Sequence, residues 1–192
     1  MFDPLPCADL GQHGDMTDVP DPRGVVSSAG PGDQDDPADA AALARYARAL
    51  ADGIDQALPG WVERSVERLL LAYRGVVEPA ERVAATQAGV AARDAVAPRV
   101  RRVLLADIDA QTVSPLAVVR TAVAFPTEVL HGVGVPPVVR DEFVERQFPD
   151  DVYDLSPASF ADVDPALHEP GMTWGAAKAH VHLARRRREG QR

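Results

Sequence analysis

Pairs in which a proline directly follows a helix-capping residue occur at intervals along most of this chain. The side-chain oxygen of the capping residue accepts a hydrogen bond from a free backbone N–H, and the fixed φ of proline suits the first helical position. We therefore expect a helix to begin at each such pair. The pairs are Asp36-Pro37, Ser114-Pro115, Ser156-Pro157 and Asp164-Pro165. Glu78-Pro79 and Pro136-Pro137 look similar but have poorer caps.

Between these starts, apolar residues recur at the spacing of a helix face. A first helix is expected to end at Pro59-Gly60, and a second at Gly75, whose tolerance of positive φ suits a C-terminal cap. The first apolar stripe contains Leu43, Ala47, Leu50, Ile54 and Leu58. The second contains Val62, Val66, Leu69, Leu70 and Tyr73. The solvent side of the second helix is assigned to Glu63, Arg64, Glu67 and Arg68.

Four further helices are predicted downstream, and no alternating strand pattern of useful length occurs. Pro98 is expected to kink the third helix and Pro126 to bend or split the fourth, because proline removes one helical hydrogen bond. The fourth is apolar on most sides, so we expect it to be the most buried. These helices span about 79–110, 115–131, 137–148 and 174–188. The predicted fold class is all-α, a single helical domain of about six helices over residues 38–192.

The first 37 residues differ in composition from the rest. They contain eight Asp and one Arg, a net charge of −7, whereas the whole chain carries −9. Their many prolines and glycines leave no apolar period, and low hydrophobicity with high charge does not offset the entropy of ordering. Residues 1–37 are therefore predicted to be a disordered acidic N-terminal arm. A solubilising tail is the favoured interpretation, and a binding arm is the alternative.

Several classes of protein are disfavoured by composition. Cys7 is the only cysteine, which excludes an intramolecular disulfide and a thiolate metal cluster. No run of 18 apolar residues occurs, so no membrane span is expected. The N-terminus lacks the charged and apolar regions of a signal peptide. These features together lead us to expect a cytoplasmic protein without a cofactor. The near-exclusive use of arginine over lysine is typical of a GC-rich coding sequence, so we expect the protein to be bacterial.

Histidines and acids of the C-terminal half provide the candidates for chemistry. His180 and His182 lie two residues apart, about 200° around a helix, so they do not chelate a metal together. The acids of 150–154 lack the central glycine and late glutamate of a calcium loop. We assign no metal ligand and no catalytic residue. An enzyme that uses the 150–154 acids, His168 or His180 remains an alternative.

An arginine cluster ends the last predicted helix. Residues 178–192 contain six basic residues and one acid, whereas 140–170 contain nine acids and two arginines. The favoured interpretation is that these segments lie side by side. Nucleic-acid binding through the cluster is an alternative, but a few phosphate contacts would give a salt slope of only about −4, and the overall charge opposes it. The cluster consists of Arg185, Arg186, Arg187 and Arg188.

The segment 149–173 is predicted to be irregular and is longer than an ordinary connection. It is rich in acids and aromatics, and such a segment needs a partner, either the helical body or another protein. The leading hypothesis is a non-catalytic protein–protein interaction or regulatory module. Its contact residues would be Tyr153, Phe160 and Trp174, because aromatic residues dominate binding hot spots.

Two stretches of this segment resemble sequences of uncharacterised helical proteins from high-GC bacteria. They are 148–157 (Phe-Pro-Asp-Asp-Val-Tyr-Asp-Leu-Ser-Pro) and 164–171 (Asp-Pro-Ala-Leu-His-Glu-Pro-Gly). The resemblance covers the C-terminal half of the chain. It implies a cytosolic location but no activity, and it assigns no role to any residue.

Overall fold

Helices and the loops between them make up the computed structural model, which describes residues 37–139, 148 and 150–191. No strand occurs within these ranges, in agreement with the predicted all-α class. Residues 1–36 of the predicted acidic arm lie outside them. The helices are α1 (Pro37–Arg74), α2 (Pro79–Leu105), α3 (Pro115–Arg120), α4 (Ala124–Gly132) and α5 (His168–Glu189). Short 3-10 helices and a single α-helical turn at Phe160–Val163 complete the described residues.

The first two predicted helices form one continuous helix, α1, so the predicted end at Pro59-Gly60 is wrong. Pro59 lacks an N–H and clashes with the preceding turn, at a cost of about 3 kcal/mol. Against this, six fully buried side chains repeat every four residues on both sides of the proline, and each stabilises the fold by about 1.5–3 kcal/mol. They are Leu50, Ile54, Leu58, Val62, Val66 and Leu70. Burial of this stripe therefore outweighs the break.

Helix α1 turns back into α2 through a glycine, as predicted. Gly75 has a φ of +77°, and its N–H donates to the carbonyl oxygen of Leu71 at 2.9 Å. Further along, the two helices approach until their backbones touch. A Cβ added at Gly89 would lie 2.8 Å from the carbonyl oxygen of Pro59. Only glycine fits α2 at this point without moving one of the helices.

Glu81, in the first turn of α2, connects the two long helices. Its carboxylate pairs with the Arg74 guanidinium at the end of α1. The same carboxylate accepts the Glu78 N–H at 2.8 Å, which caps the start of α2. The Glu78 N–H and then Arg74 lower the pKa of Glu81, against the opposing effect of its burial. The ionised form is therefore the one that stabilises the hairpin.

We expect Glu81→Gln to destabilise the protein at neutral pH more than in acid. A carboxyl with a lowered pKa stabilises the fold above its ordinary value of 4.5. That stability is lost as the pH falls through the lowered folded-state value. Urea unfolding of wild type and variant at pH 7 and pH 3 measures the effect. Glu67→Gln is the control, since the Glu67 side chain is 44% exposed and its carboxylate lies 3.8 Å from the Arg82 guanidinium. If wild type and Glu81→Gln differed in free energy of unfolding by the same amount at both pH values, the ionised carboxylate would not be the stabilising form.

The predicted helix 115–131 is divided, in keeping with the expectation for Pro126. A 3-10 turn at Thr121–Val123 separates α3 from α4, one turn ahead of the proline, whose ring obstructs the preceding turn. This pair of helices is not the most buried part, contrary to prediction. Half of the fully buried large side chains belong to the stripe of α1, whereas α3 and α4 contribute only Val119 and Leu130 among the described residues.

After α4 the chain turns at Gly134 and does not form the predicted helix 137–148 at its proposed start. Gly134 has a φ of +76°, and the Val135 N–H donates to the carbonyl oxygen of Leu130 at 3.0 Å. Both apolar partners of this Schellman turn are buried. Pro137 and Val138 are not helical. The rest of the predicted helix, 140–147, lies outside the described residues.

The last helix begins earlier than predicted. The Asp164 carboxylate accepts the Ala166 N–H at 2.9 Å and starts a 3-10 turn that leads directly into α5 at His168. The irregular segment is therefore shorter than the predicted 149–173. The described residues contain the five helices α1 to α5, slightly fewer than the expected six or so. Within the described ranges, no helix is long and apolar enough to cross a membrane.

Candidate functional site

Tyr153, one of the three predicted contact residues, is a core residue. Its side chain is 2% exposed, and its hydroxyl donates to the carbonyl oxygen of Val135 at 2.7 Å. The ring meets His131 edge to face, with 5.5 Å between ring centroids. Burial raises the pKa of Tyr153. Tyr153 thus joins the loop after α4 to the segment before α5, and it offers little surface to a partner.

Trp174 and Phe160 also pack on the helical body. Trp174 is 8% exposed in α5, whereas Phe160 is partly exposed. Phe160 lies against α5 at Gly171, where an added Cβ would come within 2.9 Å of its ring. Of the three aromatics, Phe160 has the most accessible side chain. Their role in partner binding stays a prediction.

The acids of the same segment hold its turns together. The buried carboxylate of Asp151 accepts the N–H of Tyr153 at 3.1 Å and that of Ser156. Ser156-Pro157 does not begin a helix, contrary to prediction, and the next helical turn begins at Phe160, after Ser159. Asp154 has a φ of +57°, a left-handed conformation that aspartate tolerates better than most residues.

The four arginines of the C-terminal cluster differ in their surroundings. The guanidinium Nη1 of Arg185 lies 2.9 Å from Asp107 and 2.7 Å from Asp109, ahead of α3. Arg185 lowers the pKa of Asp107 through this hydrogen bond. The Nε of Arg188 donates to the carbonyl oxygen of Ala184 at 3.2 Å. Arg186 and Arg187 are exposed. The cluster is therefore not a uniform basic patch, and Arg185 pairs with two acids, Asp107 and Asp109, that lie outside 140–170.

His168, His180 and His182 lie on the surface of α5. His180 is 3.6 Å from Asp39 at the start of α1, and His168 is exposed at the first position of α5. Among the described residues, no three His, Cys, Asp or Glu side chains are arranged so that they could hold a metal ion.

A polar cleft of about 470 Å³ lies between α1 and the loop that precedes α5. We call it the α1 cleft. Part of the segment chosen from the sequence forms one wall, and the second half of α1 forms the other. The α1 wall contains Trp61, Arg64, Ser65 and Arg68. The loop wall contains Asp154, Leu155, Ser156, Pro157 and Asp162.

Arg64 closes one end of the cleft and is already bound. Its Nη2 donates to the carbonyl oxygen of Val163 at 2.9 Å and lies 3.7 Å from the Asp164 carboxylate. The guanidinium fits over Gly60, where a Cβ would lie 2.9 Å from its Nη1. Arg64 therefore fixes the loop to α1 and leaves the other donors of the α1 wall accessible.

Ser65 and Arg68 supply two donors that have no partner among the described residues. Ser65 is 6% exposed, yet no hydrogen bond within those residues involves its hydroxyl. No described side-chain oxygen or nitrogen is both sealed from solvent and unpaired, so this hydroxyl faces the cleft. The Arg68 guanidinium, exposed three residues further along α1, also has no ion pair within the described ranges.

Signals for this cleft in the sequence are weak. Helical spacing predicts Arg64 and Arg68 to be ordinary solvent-facing residues. Two residues could have indicated a site: Gly60, a poor helix former four residues before Arg64, and Ser65, a hydroxyl beside the apolar stripe. Neither identifies the opposite wall, which lies far along the chain.

Comparisons assign this chain to no family. No protein-family model, no curated protein and no solved structure matches it. A function is therefore inferred from the geometry of the cleft and the charges of its walls.

Proposed function

We propose that this chain is a non-catalytic protein–protein interaction module that binds its partner at the α1 cleft. The observation that carries the proposal is a pair of wall donors, the Ser65 hydroxyl and the Arg68 guanidinium, that have no partner among the described residues. Both donors face solvent in the cleft, so a partner that accepts from them replaces hydrogen bonds to water. The net gain is about 0.5–1.5 kcal/mol for a neutral hydrogen bond and about 1.5–3 kcal/mol for one to a charged group.

The composition of the cleft favours recognition over catalysis. The nearby carboxylates of Asp151 and Asp164 accept backbone N–H groups, and Asp162 accepts the N–H of Ser159 at 2.7 Å. They therefore serve as turn-forming acceptors. An edge of Trp61, which is 6% exposed, also lines the cleft, and arginine is enriched among residues that dominate binding energy.

The alternative functions have less support. Nucleic-acid binding by the arginine cluster would require Arg185 to exchange two carboxylate contacts for phosphates. An enzyme that uses the 150–154 acids could use Asp151 only if this residue gave up its backbone hydrogen bonds, which leaves the exposed Asp150 and Asp154 as its candidates. Both remain hypotheses, and a protein-binding cleft requires no such rearrangement.

Arg68→Ala tests the proposal. We expect it to abolish the capture of partner proteins that wild type retains from native lysate after nuclease treatment. Arg48→Ala is a matched control, because Arg48 is exposed on the same helix and has no ion pair in the described ranges. A captured protein is then purified, and its dissociation constant is measured against each variant. Equal binding by wild type and Arg68→Ala would dispose of the proposal.

Ser65→Ala is expected to separate stability from binding. Alanine is the better helix former by about 0.5 kcal/mol, and no hydrogen bond of the described residues is lost. The variant should therefore unfold at equal or higher urea concentration, while partner binding weakens. A marked loss of stability would show instead that the hydroxyl supports the fold.

A further inference from the structure

We propose that the α1 cleft recognises a mixed-charge peptide segment of the partner, in which a carboxylate lies next to a cationic side chain. This inference rests on the proposed function and adds the chemistry of the occupant. The carboxylate would lie on the α1 wall and the cation on the loop wall. The opposite charges of the two walls carry the inference.

The α1 wall offers one accessible guanidinium, which suits a carboxylate. Arg64 is held by the Val163 carbonyl and the Asp164 carboxylate, so its charge is partly neutralised. Arg68 keeps its donors free of ion pairs within the described ranges, and their fork matches the two oxygens of a carboxylate. Residues three apart on a helix are neighbours, so the Ser65 hydroxyl can donate to the same group.

The loop wall disfavours a doubly charged anion. Asp154 and Asp162 are both exposed there, and they would repel a phosphate placed against Arg68. The hydrogen bonds that the Asp162 carboxylate accepts from the N–H and hydroxyl of Ser159 both use Oδ2. Within the described ranges Oδ1 therefore receives no hydrogen bond, and it is the acceptor for a lysine or arginine of the partner.

The dimensions of the cleft fit a short segment of chain. A volume of about 470 Å³ lies within the range of sites that enclose small ligands, about 300–1,000 Å³. Trp61 is 6% exposed, so only an edge of its ring contributes an apolar contact for the aliphatic part of a long side chain. A folded partner would thus present a few residues of a loop or a terminus.

An NMR titration of the full chain reads out the site directly. The chain has two tryptophans, of which Trp61 lines the cleft and Trp174 does not. The probes are a capped peptide containing Glu-Gly-Lys, the same peptide with Gln for Glu, and inorganic phosphate. We expect the Glu peptide to shift the Trp61 indole N–H signal to saturation while the Trp174 signal stays unchanged. The Gln peptide and phosphate should bind at least about tenfold more weakly.

Variants assign the contacts. Arg68→Ala should weaken the Glu peptide at least about tenfold and Ser65→Ala about fivefold, whereas Arg48→Ala should leave it unchanged. Equal binding of the Gln peptide, or tighter binding of phosphate, would overturn the assignment of a carboxylate. A Trp61 signal that none of the three probes shifts would overturn it as well.

The outcome for the ligand is separable from that for the function. If partner capture depends on Arg68 but no peptide moves the Trp61 signal, the mixed-charge ligand is wrong and the interaction module stands. If the peptide binds but partner capture is indifferent to Arg68→Ala, the proposed function is wrong, and the cleft binds this chemistry without serving the captured partner.

Discussion

Replacing Tyr153 with alanine is expected to lower the free energy of unfolding by about 3–5 kcal/mol. The side chain is 2% exposed, and its removal leaves a cavity between the loop after α4 and the segment before α5. The carbonyl oxygen of Val135 would also lose the hydroxyl that donates to it. Since domains are stable by about 5–15 kcal/mol, little margin would remain.

Tyr153→Phe separates the two contributions of this residue. Phenylalanine keeps the ring packing but removes the donor, so a loss of about 1–3 kcal/mol is expected. Tyr73→Ala serves as the control, because Tyr73 is 54% exposed on α1 and should change stability by no more than about 0.5 kcal/mol. Urea unfolding followed by circular dichroism measures all three variants. A loss for Tyr153→Ala no larger than that for Tyr73→Ala would show that Tyr153 is not a core residue in solution.

Two alanine variants, Tyr153→Ala and Trp174→Ala, decide whether the buried aromatics also bind a partner. If Tyr153→Ala and Trp174→Ala reduce stability but leave partner binding per folded molecule unchanged, both residues act in the core alone. The contact surface then consists of exposed groups such as Arg68 of the α1 cleft. A loss of binding in excess of the loss of folded protein would return these aromatics to the interface.

Helix starts are predictable wherever the capping signal is local. Pro79 and Pro115 begin helices, as their preceding residues indicate, and Gly75 ends one. Ser156-Pro157 has the same signature but begins no helix. Here the Asp151 carboxylate binds the Ser156 N–H across a loop, and the helical turn begins three residues after Pro157, at Phe160, where Ser159 and Asp162 form a capping box. A pattern of two neighbouring residues contains no information about contacts with residues further along the chain.

The continuity of α1 across Pro59 is also encoded in the sequence, in the phase of the apolar residues. Leu58 and Val62 are four residues apart, so the stripes before and after the proline lie on one helical face. Two separate helices would not need to keep this phase. A prediction that ends the helix at Pro59 considers only the cost of a proline inside a helix. Burial of the apolar stripe stabilises the continuous helix by more than this cost.

The α1 cleft could not be predicted from helical periodicity. That periodicity correctly places Arg64 and Arg68 outside the apolar stripe. It contains no information about which segment of the chain packs next to them. The covering loop is brought there by contacts between distant residues, such as the hydrogen bond from Arg64 to Val163, 99 residues apart. A single sequence offers no means of pairing such positions.

Gly89→Ala is expected to destabilise the protein by about 2 kcal/mol, although alanine is the better helix former. The new Cβ would lie 2.8 Å from the carbonyl oxygen of Pro59 and 3.0 Å from its Cα. Both are backbone atoms, so no rotamer change relieves the contact, and α1 and α2 must separate. Separation disturbs the packing of the buried stripe that includes Leu58 and Val62. Urea unfolding measures the loss of stability. Circular dichroism of the folded variant should show an unchanged helix content.

Gly175→Ala is the matched control for the same substitution in another helix. Gly175 lies within α5, and a Cβ there would meet no atom within 4 Å. Only the gain in helix propensity remains, so stabilisation by about 0.5–1 kcal/mol is expected. Opposite signs for the two variants would show that close contact of the backbones, not glycine content, makes Gly89 necessary. If both substitutions stabilised the protein, α1 and α2 would be farther apart at Pro59 than the structure indicates.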